Sequence, residues 1–169
     1  MEQQTKARTP RTVTASVEIA APPRTVWTVL VDVAAWPTWN PAIRHAVCDT
    51  ELEVEVGTRF RFATEIGTLK CRVTEIDAPR VFAWRGRVLA VAERQRWRLE
   101  TTGHGTRVTV DAEMGGLSAM LFRRRLDDRL RNVLDALVQL LRLEAEARAS
   151  ETNEAARSTA SGTGDPGRG

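Results

Sequence analysis

From Gly57 to Met114 the chain repeats an alternation of apolar and polar residues with only short turns between the repeats. In "GTRFRFATEI", Phe60, Phe62 and Thr64 share one face, while Arg59, Arg61 and Glu65 share the other. "TLKCRVTEI" puts Leu69, Cys71 and Val73 together, and "RVFAWRGRV" sets Phe82 and Trp84 against Val81, Ala83 and Arg85. "ERQRWRLE" alternates Arg94, Arg96, Arg98 and Glu100 with Gln95, Trp97 and Leu99. "TTGHGT" is a hairpin signal with His104 in the turn, and "RVTVDAEM" turns Val108, Val110, Ala112 and Met114 inward. Side chains on a strand point to opposite faces in turn, so each segment has one dry and one wet face. Consecutive strands with no intervening helix run antiparallel, and an antiparallel sheet tolerates water on one side.

A sheet with one dry face needs a cover. After "GGLSAM" the period changes: Leu126, Leu130, Val133, Leu134, Leu137, Leu140 and Leu141 recur at three- and four-residue steps. This predicts an amphipathic helix from near Ser118 to about Glu146. Ahead of the block, "TVTASVEIA" alternates as a strand with Val13, Ala15, Val17 and Ile19 inward. "APPRTVWTVLVDV" reads as a helix opened by tandem prolines, with Val26, Val29, Leu30 and Val33 on its apolar face. Trp36-Pro37 is expected to end it, since a residue before proline avoids the helical region. "PTWNP" follows as a single helical turn or tight corner, and a further strand is expected over Ile43 to Asp49.

The fold class is therefore α+β: a curved antiparallel sheet of about six or seven strands wrapped around a long C-terminal helix. Two curved surfaces rarely fill the gap between them, so a cavity is expected between sheet and helix. The folded unit is placed at residues 11–149. Residues 1–10 are expected to be a flexible N-terminus, and 150–169, "SETNEAARSTASGTGDPGRG", a disordered tail because nothing in it can be buried.

Composition narrows the function. No run of eighteen apolar residues exists and the polar N-terminus has no signal-peptide core, which predicts no transmembrane segment and a cytoplasmic protein. Cys48 and Cys71 are the two cysteines, expected to be reduced and not in metal-ligand spacing. Net charge is +3, but 22 acids are interspersed with 25 bases, so no nucleic-acid partner is expected. No nucleophile elbow, phosphate loop or metal cluster is present, and neither cofactor nor metal is expected.

The segments "APPRTVWTVLVDVAAWPTWNPAI", "VTEIDAPRVFAWRGR" and "GTRVTVDAEMGGL" before a long last helix resemble the SRPBCC superfamily. This is the START-like, helix-grip group that includes polyketide cyclase/dehydrase-like proteins. The resemblance spans Thr12 to Ala147. It implies a hydrophobic ligand held in a deep pocket beneath the C-terminal helix, in a family whose members cyclise or aromatise polyketides, transfer lipids or sense hormones. For cyclase activity the resemblance implies pocket Arg and Tyr. This chain has no Tyr, and its strand arginines alternate outward, which weighs against an enzyme.

The expected ligand-binding residues are Val26, Leu30, Trp39, Phe60, Phe62, Trp84, Gln95, Trp97, Leu126 and Leu130, an apolar lining with few polar groups. Trp36 is expected to wedge between helices and sheet, and Trp27 to face either the sheet or the pocket mouth. Trp84 and Trp97 either line the cavity or fill it. Glu93 and Gln95 lie on the dry face with Trp97, where an ionised carboxylate is costly unless paired. Glu93 is thus a candidate for binding a ligand hydroxyl or for acid–base work, unless the strand starts only at Arg94. His45, on one face with Ile43 and Val47, is a weaker inward candidate. "GRVLAVA" and "MGGLSAMLF" are candidate gates, the first lacking an obvious strand partner and the second hinged on Gly115 and Gly116.

The expected function is binding of a small hydrophobic molecule, lipid-like or aromatic and polyketide-like. A polyketide aromatase/cyclase-type enzyme is the alternative, and a protein-interaction module of the same fold a second. A homodimer is left open.

Overall fold

In the computed structural model, which describes residues 12–50, 53–115 and 123–161, every alternating segment becomes a strand. The strands are β1 (Thr12–Ile19), β2 (His45–Cys48), β3 (Arg59–Thr64) and β4 (Gly67–Asp77), then β5 (Val81–Val88), β6 (Val91–Thr102) and β7 (Gly105–Gly115). The helices are α1 (Pro23–Val31), α2 (Trp36–Trp39) and α3 (Arg123–Ser161), with a single 3-10 turn at Val33–Ala35.

All seven strands form one antiparallel sheet in the order β1-β7-β6-β5-β4-β3-β2. The first two strands are its two edges, so the chain must cross from edge to edge, and α1 and α2 make that crossing. The sheet curls into a grip, and α3 packs on β1 and α1 inside it. Buried Leu130, Leu134, Val138, Leu141, Ala145 and Ala149 form the helix stripe. Two polar contacts hold this corner: Glu146 Oε1 accepts the Ala20 N–H at 3.0 Å, and the Thr106 hydroxyl donates to the Ala21 carbonyl at 2.7 Å. Gly105 has φ +146°, and a Cβ there would overlap the Ile19 carbonyl, so no side chain fits where β7 meets the end of β1.

Several expectations need correction. Trp36 does not stop the helical run; it is itself helical at φ −51° and ψ −40°, and Pro37 sits in the first turn of α2 where no N–H is needed. The helix before it ends earlier, at Val31. "GRVLAVA" is not an unpaired connection, because Val88 pairs with Val91 and only Leu89 and Ala90 form the turn. Val133, assigned to the apolar stripe, is 53% exposed. The last helix does not end near Glu146 before a disordered tail; it continues to Ser161, with Glu151 to Thr159 exposed. Lack of apolar residues removes burial, but Glu151, Glu154, Ala155, Ala156 and Arg157 keep good helix propensity, and the first glycine comes only at Gly162. Most of "MGGLSAMLF" lies outside the described residues, which take in only Met114 and Gly115 of it.

Candidate functional site

The register places the concave face in rows. One row runs Val73, Trp84, Gln95, Ala112 and Val13 across β4, β5, β6, β7 and β1; the next runs Ile76, Phe82, Trp97, Val110 and Ala15. On the other side lies Phe60, Cys71, Gly86, Glu93 and Met114, from β3 to β7. A bulge between Val73 and Glu75 inserts one residue in β4, which keeps both Val73 and Ile76 on the inner face.

Aromatic rings fill the β3–β5 side. Trp36 stands edge-on to Phe60 and Phe62, with centroids 5.6 and 5.5 Å away, and Trp84 meets the same two rings at 5.8 and 5.9 Å. Such edge-to-face contacts set the positive rim of one ring against the negative face of another. Trp36 also donates its indole N–H to the Leu30 carbonyl at 3.0 Å, so it wedges the helices against the sheet as expected. Half-buried Trp27 leans edge-on to Phe82 at 6.4 Å and so faces the sheet.

On β6 three polar groups form a directed chain. The Trp97 indole N–H donates to Gln95 Oε1 at 3.1 Å, and Gln95 Nε2 donates to Glu93 Oε1 at 2.6 Å. An indole nitrogen only donates, and an ionised carboxylate only accepts, so the orientation of the Gln95 amide is fixed by chemistry at both ends. Glu93 has a pKa raised above the ordinary 4.5, chiefly because burial penalises its charge; the Gln95 hydrogen bond opposes this. Its neighbour Cys71 is held as a thiol, its pKa pushed far up by burial and then by the Glu93 charge. Gly86 leaves room for this arrangement. A Cβ on it would stand 2.6 Å from Cys71 Sγ and 3.3 Å from the Trp84 ring.

Two buried indole N–H groups on this side, those of Trp84 and Trp39, have no hydrogen-bond partner among the described residues. A buried donor left unpaired costs about 1–3 kcal/mol, so native proteins rarely keep one without a use.

The structure gathers most of the predicted residues. Val26, Leu30, Trp39, Phe60, Phe62, Trp84, Trp97 and Leu130 all belong to one buried cluster, and Gln95 is buried among the same strands. The side chain of Leu126 lies outside the described residues. Because β6 begins at Val91, Glu93 is within the strand and shares the inner face. His45 is a correction: it is exposed, and its neighbours Ala46 and Cys48 pair with the inward Phe62 and Phe60. A one-residue shift of register turns every side chain over, which is why the short β2 misled the assignment. Cys71 and Met114 lie on the dry faces expected from the alternation, and in the same row Gly86 is an interior residue that the pattern does not single out. The glycine inside an otherwise regular strand was the available signal, since such a gap marks a close approach.

A depression of about 420 Å³ lies on the opposite, convex face. Its charged lining, Glu75, Arg85, Arg94, Arg96, Asp111 and Glu113, balances three cations against three carboxylates. Arg96 holds Glu75 at 2.8 Å and Arg98 holds Asp111 at 2.9 Å, so part of that charge is already paired.

A family model described as polyketide cyclase / dehydrase and lipid transport matches residues 10–142. No curated protein matches the chain by sequence. Among solved structures, a hypothetical protein of Helicobacter pylori superposes with TM-score 0.71 at 17% identity, over 83% of this chain and 91% of that one. A START superfamily protein from Mycobacterium smegmatis gives TM-score 0.58 at 18% identity, over 83% and 98%. The di-domain ARO/CYC StfQ of the steffimycin biosynthetic pathway gives TM-score 0.67 at 16% identity, over 85% of this chain and 51% of that one. The chain thus spans about half the length of that di-domain protein. At these identities the likeness is one of fold.

Proposed function

The chain belongs to the polyketide cyclase / dehydrase and lipid transport family, and from that premise we propose that it binds a small hydrophobic molecule between the concave face of the sheet and α3. The observation that carries this is the buried indole N–H of Trp84, register neighbour of Gln95 and without a hydrogen-bond partner among the described residues. An apolar wall with a few fixed polar groups is the usual composition of a small-molecule site. Phe60, Phe62, Trp84 and Trp97 supply the wall, and the Trp97–Gln95–Glu93 chain supplies the polar groups. Trp84 offers a donor, and the inward Glu93 carboxyl, whose pKa burial raises, offers a second polar group. The matching guest is lipid-like or aromatic and polyketide-like, carrying a carbonyl or hydroxyl oxygen.

Native mass spectrometry of the protein as purified, followed by fluorescence titration of the emptied protein with fatty acids and hydroxylated polycyclic aromatics, tests this. Binding that weakens at least tenfold in Trp97→Ala supports it; no binding of either class sinks it.

A second reading, aromatase/cyclase-type catalysis, is favoured by one observation. Glu93 is a half-buried inward carboxyl whose pKa is raised above the ordinary carboxylate value by desolvation, a shift in the direction that suits proton transfer. It would hold or release a proton at Oε2 while Oε1 stays bound to Gln95. A single-turnover assay on a poly-β-keto thioester mimic checks it, with activity lost in Glu93→Gln while ligand affinity is kept.

A further inference from the structure

The convex face carries a concentration of positive charge that the interior site does not use. Across β3, β4 and β5, Arg59 pairs with Arg72 and Arg72 with Arg85; one row on, Arg61 pairs with Lys70 and Lys70 with Arg87. None of these six cations has an ion-pair partner among the described residues. Like charges placed directly opposite on a sheet repel, so folding alone does not favour the arrangement. The net charge of the chain is only +3, so the face is a local concentration rather than a general excess.

A second observation lies at the end of the same strands. The β3–β4 and β5–β6 turns sit side by side, with the Cβ position of Gly67 3.1 Å from Val88 Cγ2. Their tips present Ile66, 57% exposed, and Leu89, 87% exposed. Leu89 has φ +51°, a left-handed conformation that favours glycine or asparagine in a tight hairpin. A leucine there is unfavourable for the backbone and unfavourable for solvation, and nothing inside the fold requires it.

Oily tips backed by cations match one surface. We propose that this end of the sheet docks on an anionic phospholipid bilayer, with Ile66 and Leu89 entering the interfacial layer and Arg61, Lys70 and Arg87 engaging headgroup phosphates. At roughly 3.3 Å per strand residue, the nearer row of cations stands about 7–13 Å behind the tips. Apolar groups of peripheral proteins reach about 5–10 Å into the headgroup boundary, which brings that row, with its long side chains, to the phosphates. Arg59, Arg72 and Arg85 form a second rank further out. Glu65, beside Ile66, is the carboxylate at the tips. Nucleic acid fits less well, because the convex face of β3 to β5 presents no aromatic ring for stacking and no helix for a groove.

Co-sedimentation with phosphatidylcholine vesicles, with and without phosphatidylglycerol, tests the proposal at low and high salt. Binding is expected only with the anionic lipid and should weaken as salt rises. Leu89→Asn, which suits the backbone better, should lower binding about fivefold or more through lost apolar insertion. The triple change Arg61→Gln, Lys70→Gln, Arg87→Gln should lower it by about fivefold per cation. All four positions are on the surface, and an unchanged circular dichroism melt checks the fold. Equal binding to neutral vesicles, no vesicle binding, or an unaltered Leu89→Asn overturns the proposal. Capture of duplex DNA or RNA without vesicles reassigns the face to nucleic acid and overturns it too. The readout is independent of whether the interior holds a guest.

Discussion

Gln95 presents its amide nitrogen to the Glu93 carboxylate across 2.6 Å, two residues back on the same strand and the same face. The pair sits where the sheet is otherwise lined by rings and aliphatic chains, so its protonation state responds to burial more than to partners.

Glu93→Gln should stabilise the protein at high pH and leave it unchanged in acid. Burial raises the native pKa of Glu93 above 4.5, so the folded state holds the proton more tightly than the unfolded chain. That contribution is complete below the unfolded value and is lost as pH rises through the native one. Glutamine keeps the acceptor for Gln95 without the charge. A melting point higher by roughly 2–4 °C at pH 8, the shift for about 1 kcal/mol in a domain of this size, should vanish near pH 4 in a thermal series.

Trp84→Phe and Trp97→Phe make the same chemical change at two buried indoles that differ in hydrogen bonding. The Trp97 N–H is bound by Gln95, and the Trp84 N–H has no partner among the described residues. In urea titrations Trp97→Phe should be the more destabilising by about 1 kcal/mol, because it strands the Gln95 oxygen. Trp84→Phe should instead weaken a carbonyl-bearing ligand about fivefold to tenfold. Equal stabilities would show that the Trp97 bond contributes nothing.

Gly86→Ala should destabilise by about 1–3 kcal/mol, since its Cβ would stand 2.6 Å from Cys71 Sγ. Adding Cys71→Ala should recover at least half of that loss, a non-additivity measurable in a double-mutant cycle.

Ala156→Pro should reduce far-UV helical ellipticity while moving the melting point by less than about 2 °C. Ala149 is the last buried residue of α3 among those whose burial is described, and Glu151 to Thr159 are exposed, so breaking the helix there is a local event. Leu141→Pro, in the buried stripe, should unfold the domain.

Much of the architecture was legible because burial writes itself as period. Phe60, Phe62, Trp84, Trp97 and Val110 alternate with charged or polar neighbours, and all five face the core. The Trp97, Gln95 and Glu93 face was readable for the same reason. His45 was not, because the four-residue β2 is too short for its alternation to fix a register. The end of α3 was misplaced because its outer turns are held by propensity and carry no apolar signal. Gly86 and Cys71 became interpretable only as cross-strand neighbours of Glu93, a relation between residues far apart in the chain.

The amino-acid order by itself determined which face of each strand is dry, that the strands run antiparallel, and that one long helix must cover them. These are local consequences of side-chain alternation and of the cost of leaving apolar surface in water. Tertiary structure decided what stands opposite what: that six cations from three strands share one face, that Ile66 and Leu89 emerge side by side, and that the Trp84 donor is buried with no partner among the described residues. Register and sheet order set those neighbours, and they depend on pairing between distant segments that no local pattern encodes.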